Sequence, residues 1–127
     1  MNQASNKVYN LAERTTVFAA AVLEFSKSLK LDKISEVLIV QLVRCVTSIG
    51  ANYMEARNGS SKKDFINKIY ICKKEAQEAE YWLKLSEGLF PMRREEIAEF
   101  SNESHELLLI FQKIISSSKI KQLQLKS

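Results

Sequence analysis

The sequence predicts an all-α protein, an antiparallel four-helix bundle whose helices run up, down, up and down. The 127 residues include only three glycines and one proline, so the chain has few places to turn, and residues that favour helix are abundant. Apolar residues recur at spacings of three and four in four long segments. Segments of ~22 residues would be ~33 Å long, the proportions of a bundle with short loops. The length fits one domain over residues 1–127.

The first two helices are predicted over residues 6–29 and 35–57. The first carries one apolar seam: Leu11, Thr15, Phe18, Val22, Phe25 and Leu29. The second begins after Asp32, a residue that favours helix starts. It carries two seams, one of Leu38, Leu42, Cys45, Ile49 and Ala56, and one of Ile39, Val43, Val46, Gly50 and Tyr53. A helix with two seams is expected to pack against several neighbours.

The third and fourth helices are predicted over residues 61–87 and 93–117. Ser61 followed by Asp64 resembles a capping box, Gly88 is predicted to cap the third helix, and Pro91 prevents its continuation. The third helix has the seam Phe65, Ile69, Cys72, Ala76, Ala79 and Leu83. The fourth uses Ile97, Phe100, Ser104, Leu107, Leu108, Phe111, Ile114 and Ile115. Its pattern ends at three serines, and the tail, 118–127, is expected to fray.

The segment Val37–Met54 contains a single charged residue, Arg44, with apolar residues on nearly every side. We therefore expect it to be buried all round, which favours an oligomer because a four-helix monomer leaves each helix a solvent face. Five polar residues nevertheless fall on one line of this helix. This polar line is Gln41, Arg44, Ser48, Asn52 and Glu55. Either these residues bond across helices or subunits and fix the register, or they line a surface that contacts a ligand or partner.

A second line lies opposite the apolar seam of the third helix and interleaves cations with aromatic rings. We call it the basic stripe: Lys63, Asn67, Tyr70, Lys74, Gln77 and Tyr81. With the neighbouring cations, the candidate nucleic-acid contacts are Arg57, Lys62, Lys63, Lys68, Tyr70, Lys73, Lys74 and Tyr81. The net charge of +4 and the pI near 9.1 agree with an anionic partner. The stripe fits single-stranded nucleic acid, a solvated helix face or a subunit boundary.

The residues that carry chemistry do not form a known catalytic or metal-binding motif. The chain has one histidine, His105, with Asn102 three residues before it, so the Glu-x-x-His pairs of a di-iron bundle are missing. Cys45, Cys72 and His105 lack both the close cysteine pairs and a fourth ligand of a structural zinc site. We expect the cysteines to be reduced core residues. We therefore expect that the protein is not an enzyme and that it binds neither a cofactor nor a metal.

The start of the chain shows no basic segment followed by an apolar run, the mark of a secretory signal. The polar residues of Val37–Met54 make that segment a poor membrane span. We therefore expect a cytoplasmic protein that does not bind a membrane.

Several short motifs occur here in the order found in a known family. They are Val8-Tyr9-Asn10-Leu11-Ala12, Gln41-Leu42, Arg44, Ser48-Ile49, Asn52, Glu55, Ser61-Lys62-Lys63-Asp64-Phe65, Lys74-Glu75-Ala76 and Tyr81-Trp82-Leu83. In this order and spacing the chain resembles the 23S rRNA intervening-sequence protein family, small bacterial four-helix-bundle proteins, some encoded by insertions within large-subunit rRNA genes. The resemblance spans roughly residues 8 to 90. Ala56 departs from the family, which commonly has glycine there.

The resemblance implies a four-helix bundle that assembles into a homopentamer. A related group, the accessory variability proteins of diversity-generating retroelements, is similar in fold and partners a reverse transcriptase. Two functions are therefore expected: a non-catalytic oligomer that acts by binding, or a basic accessory protein that binds RNA, single-stranded DNA or a nucleic-acid enzyme.

Overall fold

Four α-helices form the protein in the computed structural model, which describes residues 10–126. They are α1 (Leu11–Lys27), α2 (Lys33–Arg57), α3 (Lys62–Leu89) and α4 (Arg94–Lys126), with a short 3-10 helix, Pro91–Arg93, between the last two. No strand occurs within residues 10–126, so the predicted all-α class is confirmed. Residues 6–9 of the predicted first helix, the Val8-Tyr9 motif and Ser127 lie outside the described residues.

Side-chain caps begin three of the helices where the sequence has short polar residues. Asn10 accepts a hydrogen bond from the Glu13 backbone N–H at the start of α1. Before α2, the Asp32 side chain accepts from the Ser35 N–H at 2.8 Å and the Ser35 hydroxyl accepts from the Asp32 N–H at 2.9 Å, which makes a reciprocal capping box. Ser61 accepts from the Asp64 N–H at 3.1 Å and starts α3 as predicted.

The end of α3 and the end of α4 differ from the prediction. Gly88 lies inside α3, which ends at Leu89, and has no positive φ, so it is not a cap. Pro91 decides this end instead, because proline pushes the residue before it, Phe90, out of the helical region. The last helix passes through Ser116 and its two following serines to Lys126, since serine costs a helix well under ~1 kcal/mol per residue.

Successive helices pack side by side and run antiparallel, and the predicted seams fill the space between them. The largest fully buried side chains are Phe111, Leu42, Ile49, Ile69, Leu83, Ile97, Leu107, Ile115, Val22, Val46, Thr15 and Cys45. Small residues let α3 and α4 approach closely, and the buried Ser104 hydroxyl donates to the Ala76 carbonyl at 2.7 Å. The polar atom in this seam is thus satisfied inside the core.

The first helix joins the fourth through a few long side chains. The Arg14 guanidinium donates to Glu103 at 2.8 Å and to Glu106 at 2.9 Å, and the carboxylates raise its pKa despite the opposing effect of burial. Phe100 meets Phe25 edge to face at 5.4 Å between ring centroids. These contacts close the bundle between its first and last helices.

We expect Gly88→Ala to stabilise the protein by about 0.5–1 kcal/mol, because Gly88 lies within a helix and an added Cβ meets no atom within 4 Å. Chemical denaturation measures the change. Gly59→Ala is the control. A Cβ there would lie 3.2 Å from the Ala56 carbonyl oxygen, so this substitution is expected to stabilise the protein less. A loss of stability in Gly88→Ala would mean that this glycine is a cap after all.

Candidate functional site

The polar line lies along the border between α2 and α3, where the second helix meets its antiparallel neighbour. Gln41, Ser48 and Asn52 are partly buried, whereas Arg44 and Glu55 are exposed. Its side chains contact α3 residues on the other side of this border, so the two helices share one polar seam.

Arg44 is the centre of the seam. Its guanidinium donates to the Glu75 carboxylate at 3.0 Å and lies 3.4 Å from the Glu78 carboxylate. It also donates to Gln41 Oε1 at 3.2 Å and lies 3.4 Å from Cys45 Sγ. One cation therefore binds four side chains from two helices.

Arg44 is exposed in the single chain, so the chain's own helices do not cover Val37–Met54 on all sides. The Arg44 side chain is 49% exposed, whereas that of its partner Glu75 is 9% exposed. Burial alone would raise the pKa of Glu75, but hydrogen bonds with Glu78 and Ser48 and the Arg44 charge outweigh it and lower that pKa. The buried member of the pair is therefore the anion, and the arginine reaches it from the surface.

Towards the α2–α3 turn the seam continues with two further contacts. The Asn52 amide donates to the Ser48 hydroxyl and carbonyl oxygens, both at 2.9 Å, and so stays within its helix. Glu55 accepts from Lys68 Nζ of α3 at 3.1 Å. Arg44 and Glu55 of the polar line thus bond across the two helices, and Asn52 bonds locally.

The side chains around Arg44 include one group with metal-ligand chemistry. Ligand atoms of Cys45, Glu75 and Glu78 lie within 4.8 Å of one another. Burial raises the pKa of Cys45 to about 11, against the lowering effect of Arg44. The Arg44 guanidinium already supplies a cation to these three side chains. The group therefore fits an ion-pair seam better than a metal centre.

The other reactive groups are held apart. Cys72 is buried and free, burial raises its pKa to about 12, and its sulfur contacts the Ile49 carbonyl oxygen at 3.5 Å. His105 lies at the surface, where its Nδ1 is 2.9 Å from a Glu80 carboxylate oxygen. The histidine and the two cysteines considered for zinc are thus engaged in separate contacts.

One side of α2 is left uncovered and is mostly apolar. We call it the outer face of α2; apart from Arg44, its residues are Val37, Val40, Thr47, Ala51 and Met54. Val37 is 65% exposed and Val40 is 57% exposed.

Among the described residues, Lys33–Arg57 is the one helix that is long and apolar enough to cross a membrane, judged by length and composition. The core helices of soluble proteins also pass this test.

The basic stripe lies on the exposed side of α3. All six of its residues are exposed. Tyr81 is 58% exposed and meets Trp82 edge to face at 5.1 Å between ring centroids. Near the helix start, Lys62 and Arg57 are also exposed and lie at the α2–α3 turn.

Two of the candidate nucleic-acid contacts differ from the rest. Lys68 is partly buried and bound to Glu55, so it belongs to the polar seam. Lys73 is also partly buried, unlike its exposed neighbour Lys74. The structure therefore gathers Arg57, Lys62, Lys63, Tyr70, Lys74 and Tyr81 on the accessible surface and leaves two lysines less accessible.

Comparison with known proteins agrees with this architecture. The family model for the 23S rRNA-intervening sequence protein matches residues 5–113. The chain belongs to that family. It is also similar to a crystal structure of a protein of unknown function from the S23 ribosomal protein family of Bacteroides thetaiotaomicron, with 36% identity, a TM-score of 0.74, and coverage of 82% of this chain and 96% of that one. A search of curated proteins found no match.

Sequence reasoning missed three residues that this member of the 23S rRNA-intervening sequence protein family uses. Glu75 and Glu78 bind Arg44, and Lys119 of α4 lies over the Tyr70 ring. Counting outward from the α2–α3 turn places Arg44 at nearly the same height as Glu75, so the pairing of these two residues could have been predicted from the sequence. The contact of Lys119 depends on the register of α4, which no local pattern specifies.

We expect Arg44→Ala to destabilise the protein by about 1–3 kcal/mol, because it leaves the buried Glu75 carboxylate without its cation. Thermal or denaturant unfolding measures this change. Arg57→Ala is the matched control at an exposed position of the same helix, with an expected effect within about 0.5 kcal/mol. Equal stability of the two variants would show that the seam contributes nothing to folding.

Proposed function

We propose that this protein is a non-catalytic helical bundle that associates with copies of itself and acts by binding. The observation that carries the proposal is the outer face of α2. The exposed residues of this face follow one another at spacings of three and four from Val37 to Met54, and four of the six are apolar. This spacing is the one with which helices pack against helices.

A second copy of the chain is the occupant that fits this face best. The one charge on it, Arg44, is already paired with Glu75 and Glu78, so covering the face does not strand a cation. Thr47 and Ala51 are small and permit close approach of another helix, and Val40 and Met54 supply apolar area. The likeness of the sequence to the family suggests that five copies form a closed ring.

The chemistry of the reactive side chains supports binding rather than catalysis. Both cysteines are buried with raised pKa values, which removes the thiolate that a nucleophile needs. The histidine is occupied by Glu80 at the surface. The ion pairs around Arg44 join two helices and so have a structural use.

We expect the protein to have a mass several times its chain mass of 14.6 kDa at micromolar concentration. Ala51→Glu places a charge on the outer face of α2 and is expected to yield a folded species of lower mass, because burying the carboxylate is costly. Light scattering with circular dichroism measures both properties. The matched control is Ala20→Glu, an exposed alanine on α1 between Glu13, Glu24 and Lys27. A monomeric wild-type protein would contradict the proposal.

A second candidate function, a nucleic-acid-binding accessory protein, is favoured by the basic stripe. Its cations and tyrosines are exposed on one side of α3, and no residue of the stripe belongs to the outer face of α2. Lysines hold phosphates and aromatic rings stack on bases, and this combination is typical of proteins that bind single strands without sequence preference. Self-association through α2 and strand binding through α3 would therefore use different residues.

For this candidate, we expect affinity for single-stranded RNA or DNA to fall steeply with salt. Replacing Lys62, Lys63 and Lys74 with glutamine is expected to lower the log–log salt slope by about 2, since each neutralised phosphate contributes about 0.7. Replacing Lys27, Lys30 and Lys33 with glutamine is the matched control. These lysines are exposed, and their replacement removes the same charge at the other end of the bundle. Equal losses would mean that only net charge matters.

A further inference from the structure

The basic stripe of α3 receives a cation from another helix. The Lys119 ammonium of α4 lies over the Tyr70 ring, 5.6 Å from its centroid. This distance is within the range of a cation–π interaction. Tyr70 itself is 38% exposed, so the pair sits at the surface, where a ligand has access.

The charges around this pair favour an anion. Residues 107–127 contain four lysines and no acidic residue. In the first half of α3 the one carboxylate before Glu75 is Asp64, which accepts a hydrogen bond from Ser60 in the turn. Within the described residues, no carboxylate forms an ion pair with Lys63, Lys74 or Lys119.

We propose that Lys119 is a phosphate-binding residue for a single-stranded nucleic acid, and that Tyr70 positions Lys119 instead of stacking on a base. The proposal rests on the second candidate function. The ring face under the ammonium is occupied, whereas an ammonium has three donors and can keep its place over the ring while donating to a phosphate oxygen. The sequence alone had suggested Tyr70 as a stacking platform, and the contact reassigns it.

The shape of the surface favours a single strand. The stripe runs along one helix from Lys63 to Tyr81, a length of ~27 Å at 1.5 Å per residue. A narrow row of cations matches one phosphate backbone, and the exposed Tyr81 ring remains available for a base. An acidic peptide would use the cations but not this ring.

The test measures binding of a fluorescently labelled, mixed-sequence 20-nucleotide RNA by anisotropy from ~50 mM salt upward. Lys119→Gln is expected to lower the log–log slope by about 0.7 and to weaken binding about five- to tenfold at the lowest salt. Tyr70→Leu, which keeps apolar bulk but removes the ring, is expected to cause the same loss, and the double variant no further loss. Tyr70→Phe keeps the ring and is expected to bind as the wild type does. Lys113→Gln removes an exposed lysine elsewhere on α4 and is the matched control.

The possible failures are distinguishable. Wild-type binding that Lys119→Gln weakens no more than Lys113→Gln does would overturn the role of Lys119 and leave the second candidate function standing. If the losses of affinity in Lys119→Gln and Tyr70→Leu add up in the double variant, and Tyr70→Leu keeps the full salt slope, then Tyr70 stacks on a base. That result would also overturn the proposal. Absence of wild-type binding at ~50 mM salt, or equal displacement of the RNA by polyglutamate at the same charge concentration, would remove both the proposal and the candidate function. Circular dichroism and mass identical to wild type confirm that each variant is folded.

Discussion

The register of α2 against α3 is the constraint on which the rest of the structure depends. Arg44 reaches Glu75 and Glu78 at one height of this pair, and Glu55 binds Lys68 nearer the turn. A slip of one helical turn, ~5.4 Å, would separate every one of these charges and leave the buried Glu75 carboxylate alone. The same register places the apolar seams of both helices opposite each other, so polar and apolar contacts specify one arrangement.

This register also explains why α2 has an apolar side to spare. Its sides towards α1 and α3 hold the buried seams, and its polar line forms the border with α3. The remaining side includes Val37, Val40 and Met54, whereas a helix side that faces solvent normally carries charged and polar residues. Folding of one chain therefore leaves part of the apolar surface of this helix exposed, and the proposed self-association would cover it.

The sequence predicted the helices and their seams because a helical period can be read along a single segment. It failed where two effects compete or where helices must be aligned. Gly88 looked like a cap, but Pro91 sets the end of α3. The apolar pattern of Val37–Met54 predicts how much of this helix is buried, but it does not divide that burial between the chain's own helices and other chains. Of the candidate surfaces, the polar line and the stripe could be predicted, and the contact of Lys119 with Tyr70 could not.

The contact between α3 and α4 changes what the basic stripe can do electrostatically. Along α3, Lys63 and Lys74 are eleven residues apart, or ~16 Å. That separation exceeds the Debye length of about 10 Å at 0.1 M salt, so the two cations would act almost independently. Tyr70 lies ~10 Å from the first and ~6 Å from the second along the helix. With Lys119 held over its ring, a third cation lies beside the stripe between the other two and brings the gaps along α3 to about the screening length.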